Sequence, residues 1–233
     1  MELEPFVFHH TGALVGARRA PAPAETADGA LAAVNRFALR PLAAEEVALF
    51  ELDLCHNQVD RHFSRFPEEE LETVSAMTPG RPLMERHDLR GSLPRGTFFR
   101  SRLHRDGDRV SVRPEVYVLR TEENRGFILN IEGGVYRETS IGFSFRTPEC
   151  SVCGRDLRTC DHVPGREYGG AACHFVMRGV LEVIEGSVVP AGSQGTGFVA
   201  RRGPAPPAGC GAARALEIAR DRHHTPYTLL AAE

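Results

Sequence analysis

The sequence predicts a mainly β fold with a few helices: a closed or partly closed β-barrel that carries a small metal-clipped hairpin insertion. Three observations support this expectation. The middle of the chain is rich in strand-like runs separated by glycine-marked turns. It shows no βαβ alternation and no Gly-rich phosphate loop between a strand and a helix. Four side chains of metal-ligand type also fall within thirteen residues, from Cys150 to His162.

In chain order, residues 1–32 open on a short apolar run and pass into RRAPAPAETADGA. Alanine, proline and charge without periodicity predict a flexible N-terminal arm there. Ordered sequence is expected to begin near Ala33 and to run to 199 as one domain. VNRFAL (34–39) and VALFELDLC (47–55) both resemble strands. In the second, Phe50, Leu52 and Leu54 share one face, and Glu51, Asp53 and Cys55 share the other. FPEEELETVSAM predicts a helix: Pro67 suits a first turn, three glutamates face the positive end of the dipole, and T78-P79-G80 stops it. Phe66, Leu71, Val74 and Met77 form its inward stripe.

TFFRSRL and RVSVRPEVYVL read as two strands around the RDGDR turn, with Pro114 marking an edge or a bend in the second. ENRGFILNIEGG reads as helical to Ile131 and is ended by Gly133-Gly134. VYRETSIGFSF and HFVMRGVLEVIEGSVV are strand-like. Beyond Phe198, residues 200–233 change character. ARRGPAPPAGCG reads as a linker and ARALEIARD as a short surface helix in a C-terminal tail.

Charge and composition exclude several classes of function. The 233 residues carry 28 basic and 31 acidic side chains, a formal charge of −3, which argues against a general nucleic-acid-binding protein. All the basic residues are arginine, so Schiff-base chemistry and a phosphate-loop lysine are excluded. No stretch approaches the ~18 apolar residues of a membrane span, and MELEPFVFHHTG lacks a basic-then-apolar export pattern.

TPECSVCGRDLRTCDHVPG, within an insertion at 148–164, is the strongest local signal. Cys150 and Cys153 form a C-x2-C knuckle, followed by Cys160 and His162. Three thiolates and one imidazole suit tetrahedral Zn2+, and four protein ligands leave no open position, so the site is expected to be structural. Cys173 and His174 stand close enough in sequence to replace Cys160 or His162, and a disulfide between knuckle cysteines is a further reading. Clustered cysteines point to metal in a reducing compartment before a disulfide framework.

A second constellation consists of Ser140 in ETSIGFSF, His87 in PGRPLMERHD and Glu185 in LEVIEGSVV. A nucleophilic serine needs a base, and that base needs an acceptor to hold its tautomer, so these three residue types match that requirement. Each also has an ordinary reading, as a packed hydroxyl, a surface imidazole and a turn carboxylate.

The order of these blocks changes the weighting. From about Val34 to Phe198 the chain resembles the capsid maturation (prohead) proteases of tailed bacteriophages, whose fold is related to herpesvirus assembly protease. The resemblance runs through VNRFALRPL, CHNQVDRHFSRF, PGRPLMERHD, GGVYRETSIGF and EGSVVPAGS, and the S-I-G-F block is the most telling. It implies a serine endopeptidase with Ser140 as nucleophile, His87 as base and Glu185, in preference to Glu182, as the third member. The C-x2-C-G…C-x-H insertion resembles a zinc knuckle found in a subset of such phage proteins. The implied substrates are scaffold or major capsid protein segments and the chain's own termini. The implied setting is the host cytoplasm, within an assembling procapsid, and the resemblance is compatible with self-association. HFSRF stands where relatives carry a D-G-E-like run, and MERHD is bulkier than the usual block. The alternative is therefore a catalytically inactive, zinc-stabilised scaffold-binding or structural procapsid protein.

Overall fold

Alternation of side chains along a few long strands sets the architecture of residues 6–9 and 27–199, which the computed structural model describes. The linker, surface helix and tail expected at 200–233, and most of the arm expected at 1–32, lie outside the described residues. Within that arm, Phe6–His9 forms strand β1 and Ala27–Val34 forms helix α1. The other strands are β2 (Val47–Glu51), β3 (Cys55–His56), β4 (Ser64–Arg65), β5 (Pro82–Glu85), β6 (Gly96–Asp106), β7 (Arg109–Leu119), β8 (Glu138–Cys150), β9 (Glu167–Tyr168), β10 (Ala171–Ala172) and β11 (Phe175–Val189). Helices α2 (Glu68–Met77) and α3 (Glu122–Glu132) complete the set.

The main sheet runs β1-β8-β11-β5-β6-β7-β2, with β3 also on β7 and β4 parallel to β11. This order corrects the expected barrel. The path is open: β1 pairs with β8 and β2 with β7, and among the described residues no ladder joins the two ends. Single bridges, Leu52 with Phe198 and Glu138 with Gly197, place residues 197–198 between the segment just past β2 and the start of β8. The helices make the fold mixed α/β. Phe98 and Phe99, successive in β6, enter two different buried clusters, so the sheet is covered on both faces at that point.

The larger core packs Leu71 and Val74 of α2 and Phe127, Ile128 and Ile131 of α3 against Phe98, Val112, Phe143, Phe145 and Val183. Phe66, Leu71 and Val74 are fully buried and Met77 partly so, as the helical stripe predicts. Pro67 is the N-cap of α2, one position earlier than a first-turn residue. Thr121 caps α3 by accepting from the Asn124 N–H at 3.3 Å. VNRFAL is not a strand. Ala33 and Val34 close α1 and pack with Phe99, since the Ala-rich helix outweighs a six-residue apolar signal. Strand β7 is interior, and Pro114 lies beside the register shift between Phe98 and Arg100 on β6.

Candidate functional site

Antiparallel β8 and β11 form the longest hairpin, and Cys150, the last residue of β8, pairs with Phe175, the first of β11. The excursion between them carries the cysteine-rich segment. Its knuckle is closed by two backbone bonds: the Gly154 N–H to the Cys150 carbonyl and the Cys150 N–H to the Arg155 carbonyl, both 2.8 Å. Gly154 takes φ +70°, a left-handed conformation that costs glycine nothing. Asp156 then accepts from the Arg158 N–H at 2.9 Å and starts the 3-10 turn at Leu157–Thr159, which delivers Cys160. The Arg158 guanidinium also donates to the Arg146 carbonyl at 2.9 Å, pinning the loop to β8.

The result is a Cys3His cluster: ligand atoms of Cys150, Cys153, Cys160 and His162 all lie within 4.8 Å of one another. Cys150 is buried, Cys153 is exposed, and Cys160 lies between these extremes. The His162 ring meets Tyr168 edge-on at 4.6 Å, and its Nδ1 is buried with no hydrogen-bond partner. A buried imidazole nitrogen without a partner is costly, and a bound cation would supply one.

Backbone amides favour the thiolate at two of the three cysteines. The Arg155 backbone N–H leads the groups that hold the Cys153 thiol below its ordinary value. At Cys150 burial opposes the thiolate, but hydrogen bonds from the Cys153 and Val152 amides outweigh it and lower the value. Cys160 is raised, by burial first and then by crowding against Cys150 and Cys153. A dication placed among the three sulfurs offsets that crowding. The cluster can therefore coordinate a metal ion, and its four ligands fill a tetrahedral shell.

The structure brings His87 and Glu185 together. His87 lies just past β5 at φ +57°, after Arg86 at φ +56°, and its Nδ1 is 2.5 Å from Glu185 Oε1. Glu185 is wholly buried on β11 beneath Gly142, where any Cβ would collide with its carboxylate. Ser187 is hydrogen-bonded to Glu185: its Oγ donates to Oε2 at 2.5 Å and accepts from the His87 N–H at 3.0 Å. Ser140 stands on β8 as the ladder partner of Ser187. Ser187 was not singled out from the sequence, although the E-x-S spacing places it on the strand face of Glu185.

The functional expectation of a serine endopeptidase acting on scaffold or capsid segments is corrected by the Cys3His cluster, whose four ligands suit a structural metal rather than a reaction site. Ser187 and Glu185 are both 0% exposed, as befits a polar brace that ties the turn after β5 to β11. The site whose ligands are assembled is the Cys3His cluster. Comparison with family models, with curated proteins and with solved structures finds no match to the chain. Among the described residues no helix is long and apolar enough to cross a membrane.

Proposed function

We propose that the protein is a zinc-stabilised structural or scaffold-binding component of a phage procapsid, acting through its folded surface. The observation that carries this reading is the convergence of Cys150, Cys153, Cys160 and His162 at the end of the long hairpin, with a His162 nitrogen otherwise lacking a partner. Zinc is the ion that three thiolates and an imidazole favour, and a filled tetrahedron holds shape without offering a reaction site. The procapsid setting rests on the block order from Val34 to Phe198 and is the source of the proposed partners, a scaffold protein or the major capsid protein.

Co-expression with the scaffold and major capsid proteins encoded alongside this chain tests the proposal. The chain is expected to co-sediment with assembling shells and to lose that association in Cys153→Ser. Ser140→Ala is expected to associate like the wild type and to leave every partner's intact mass unchanged. Scaffold or capsid cleavage that disappears in Ser140→Ala would overturn the reading.

A further inference from the structure

One thiol beside the cluster is not among its four ligands. Cys173 is 0% exposed, and its Sγ lies 3.9 Å from Cys150 Sγ. In a tetrahedral site with Zn–S bonds of ~2.3 Å, two ligand sulfurs stand about 3.8 Å apart. The Cys150–Cys173 pair, here within thiol hydrogen-bond distance, is also at the separation that two thiolates on one ion require.

The backbone fixes this pair in place. Cys150 is held by the β8–β11 ladder, where it faces Phe175. The Cys173 N–H donates to the Arg166 carbonyl and its own carbonyl accepts from the Gly165 N–H, each at 2.8 Å. Between them, the Ser151 N–H donates to the His174 carbonyl at 2.9 Å, and the His174 N–H donates to Ser151 Oγ at 3.0 Å. Cys160 and His162, by contrast, belong to the excursion between β8 and β11 and take no part in the ladder.

We propose that Cys173 is a fifth donor of the metal centre, occupying a coordination position when Cys160 or His162 vacates it, with Cys150 common to both arrangements. The inference rests on the zinc reading above and extends it. The four-ligand set closes only the segment from Cys150 to His162. With Cys173 engaged, the ion ties the end of β8 to a residue 23 positions later, at the entry to β11. Loss of Cys160 or His162 as a ligand then moves the clip inward to the base of the hairpin, and the metal stays bound.

The test loads the full chain with Co2+, whose thiolate-to-metal charge-transfer intensity reports how many sulfurs are bound. Wild type and Cys173→Ser are both expected to bind one ion with three thiolates. Cys160→Ser should still bind one ion with three thiolates, because Cys173 steps in. The Cys160→Ser/Cys173→Ser pair should show two thiolates and bind more weakly by at least the ~10-fold that even an outer-shell partner commands. His162→Ala should show four thiolates, falling to three when Cys173→Ser is added. A Cys160→Ser chain that binds with two thiolates, fails to bind, or matches the double variant overturns the fifth-donor assignment. A wild-type chain that takes up no metal overturns the zinc reading itself. Normal wild-type loading combined with a two-thiolate Cys160→Ser overturns only the role of Cys173.

Discussion

Stripping the metal from the full chain should loosen the hairpin excursion and leave the sheet standing. The first and last ligands, Cys150 and His162, bound a segment of thirteen residues. Closing a loop of that size removes ~3 kcal/mol of chain entropy from the unfolded ensemble, by analogy with a cross-link. Mass action gives a similar figure, since an ion at about one hundred times its Kd stabilises the folded state by ~2.7 kcal/mol. For a domain of this size each ~1 kcal/mol moves Tm by roughly 2–4 °C, so chelation should lower Tm by roughly 6–12 °C. The main core stays in place because Phe143, Phe145, Val180 and Val183 are buried along the β8–β11 ladder, away from the clip. Thermal melts with and without a chelator measure the shift, and amide exchange locates it. Protection should fall across residues 150–174 and persist in β6 and β7. A Tm change below about 1 °C, or equal loss of protection in β6 and β7, would refute the reasoning.

Three further outcomes follow from other parts of the structure. Glu185→Ala leaves the His87 ring and the Ser187 hydroxyl without their shared acceptor in a buried site, and should destabilise the fold by about 3–5 kcal/mol in denaturant titration; a loss under about 1 kcal/mol contradicts the brace. Phe66→Ala empties a fully buried position whose ring lies tilted against Phe143 with centroids 4.8 Å apart, and should cost about 3–5 kcal/mol, against which an unchanged Tm would count. His56 is held below the ordinary imidazole value, chiefly by burial and also by the Arg109 charge, while the Gln194 carbonyl, Asp53 and Asp60 pull the other way. Its folded value is depressed, so the unfolded chain takes the proton first. Its contribution to stability is full above about pH 6.5 and is lost as pH falls from there through the folded value. His56→Gln should flatten that acid limb of the melting profile, and a His56 ring resonance titrating above pH 6.5 would contradict the assignment.

Local chemistry in the sequence made the metal cluster legible, because C-x2-C and C-x-H bring their ligands together within one loop. The α2 stripe and the β6–β7 hairpin were legible for the same reason: their periodicity and turn residues act over a few positions. Sheet closure was not, since a strand run such as VYRETSIGFSF is compatible with a barrel or an open sheet, and only the partners of β1 and β2 decide between them. VNRFAL misled because six apolar-rich residues carry no information about the alanine-rich turn before them. Glu185 and His87 lie 98 positions apart, and their contact depends on β11 lying parallel to β5, which no local pattern encodes. Ser187 and Cys173 matter through neighbours across the sheet or at the hairpin base, and in sequence they read as an ordinary serine and a spare thiol.

The most direct test of the central claim is X-ray absorption at the zinc edge of the full, metal-loaded wild-type chain, together with its metal content. One zinc per chain is expected, with three sulfurs at about 2.3 Å and one nitrogen at about 2.0–2.1 Å. A chain that retains no zinc after purification in its presence, or a shell dominated by oxygen, would contradict it.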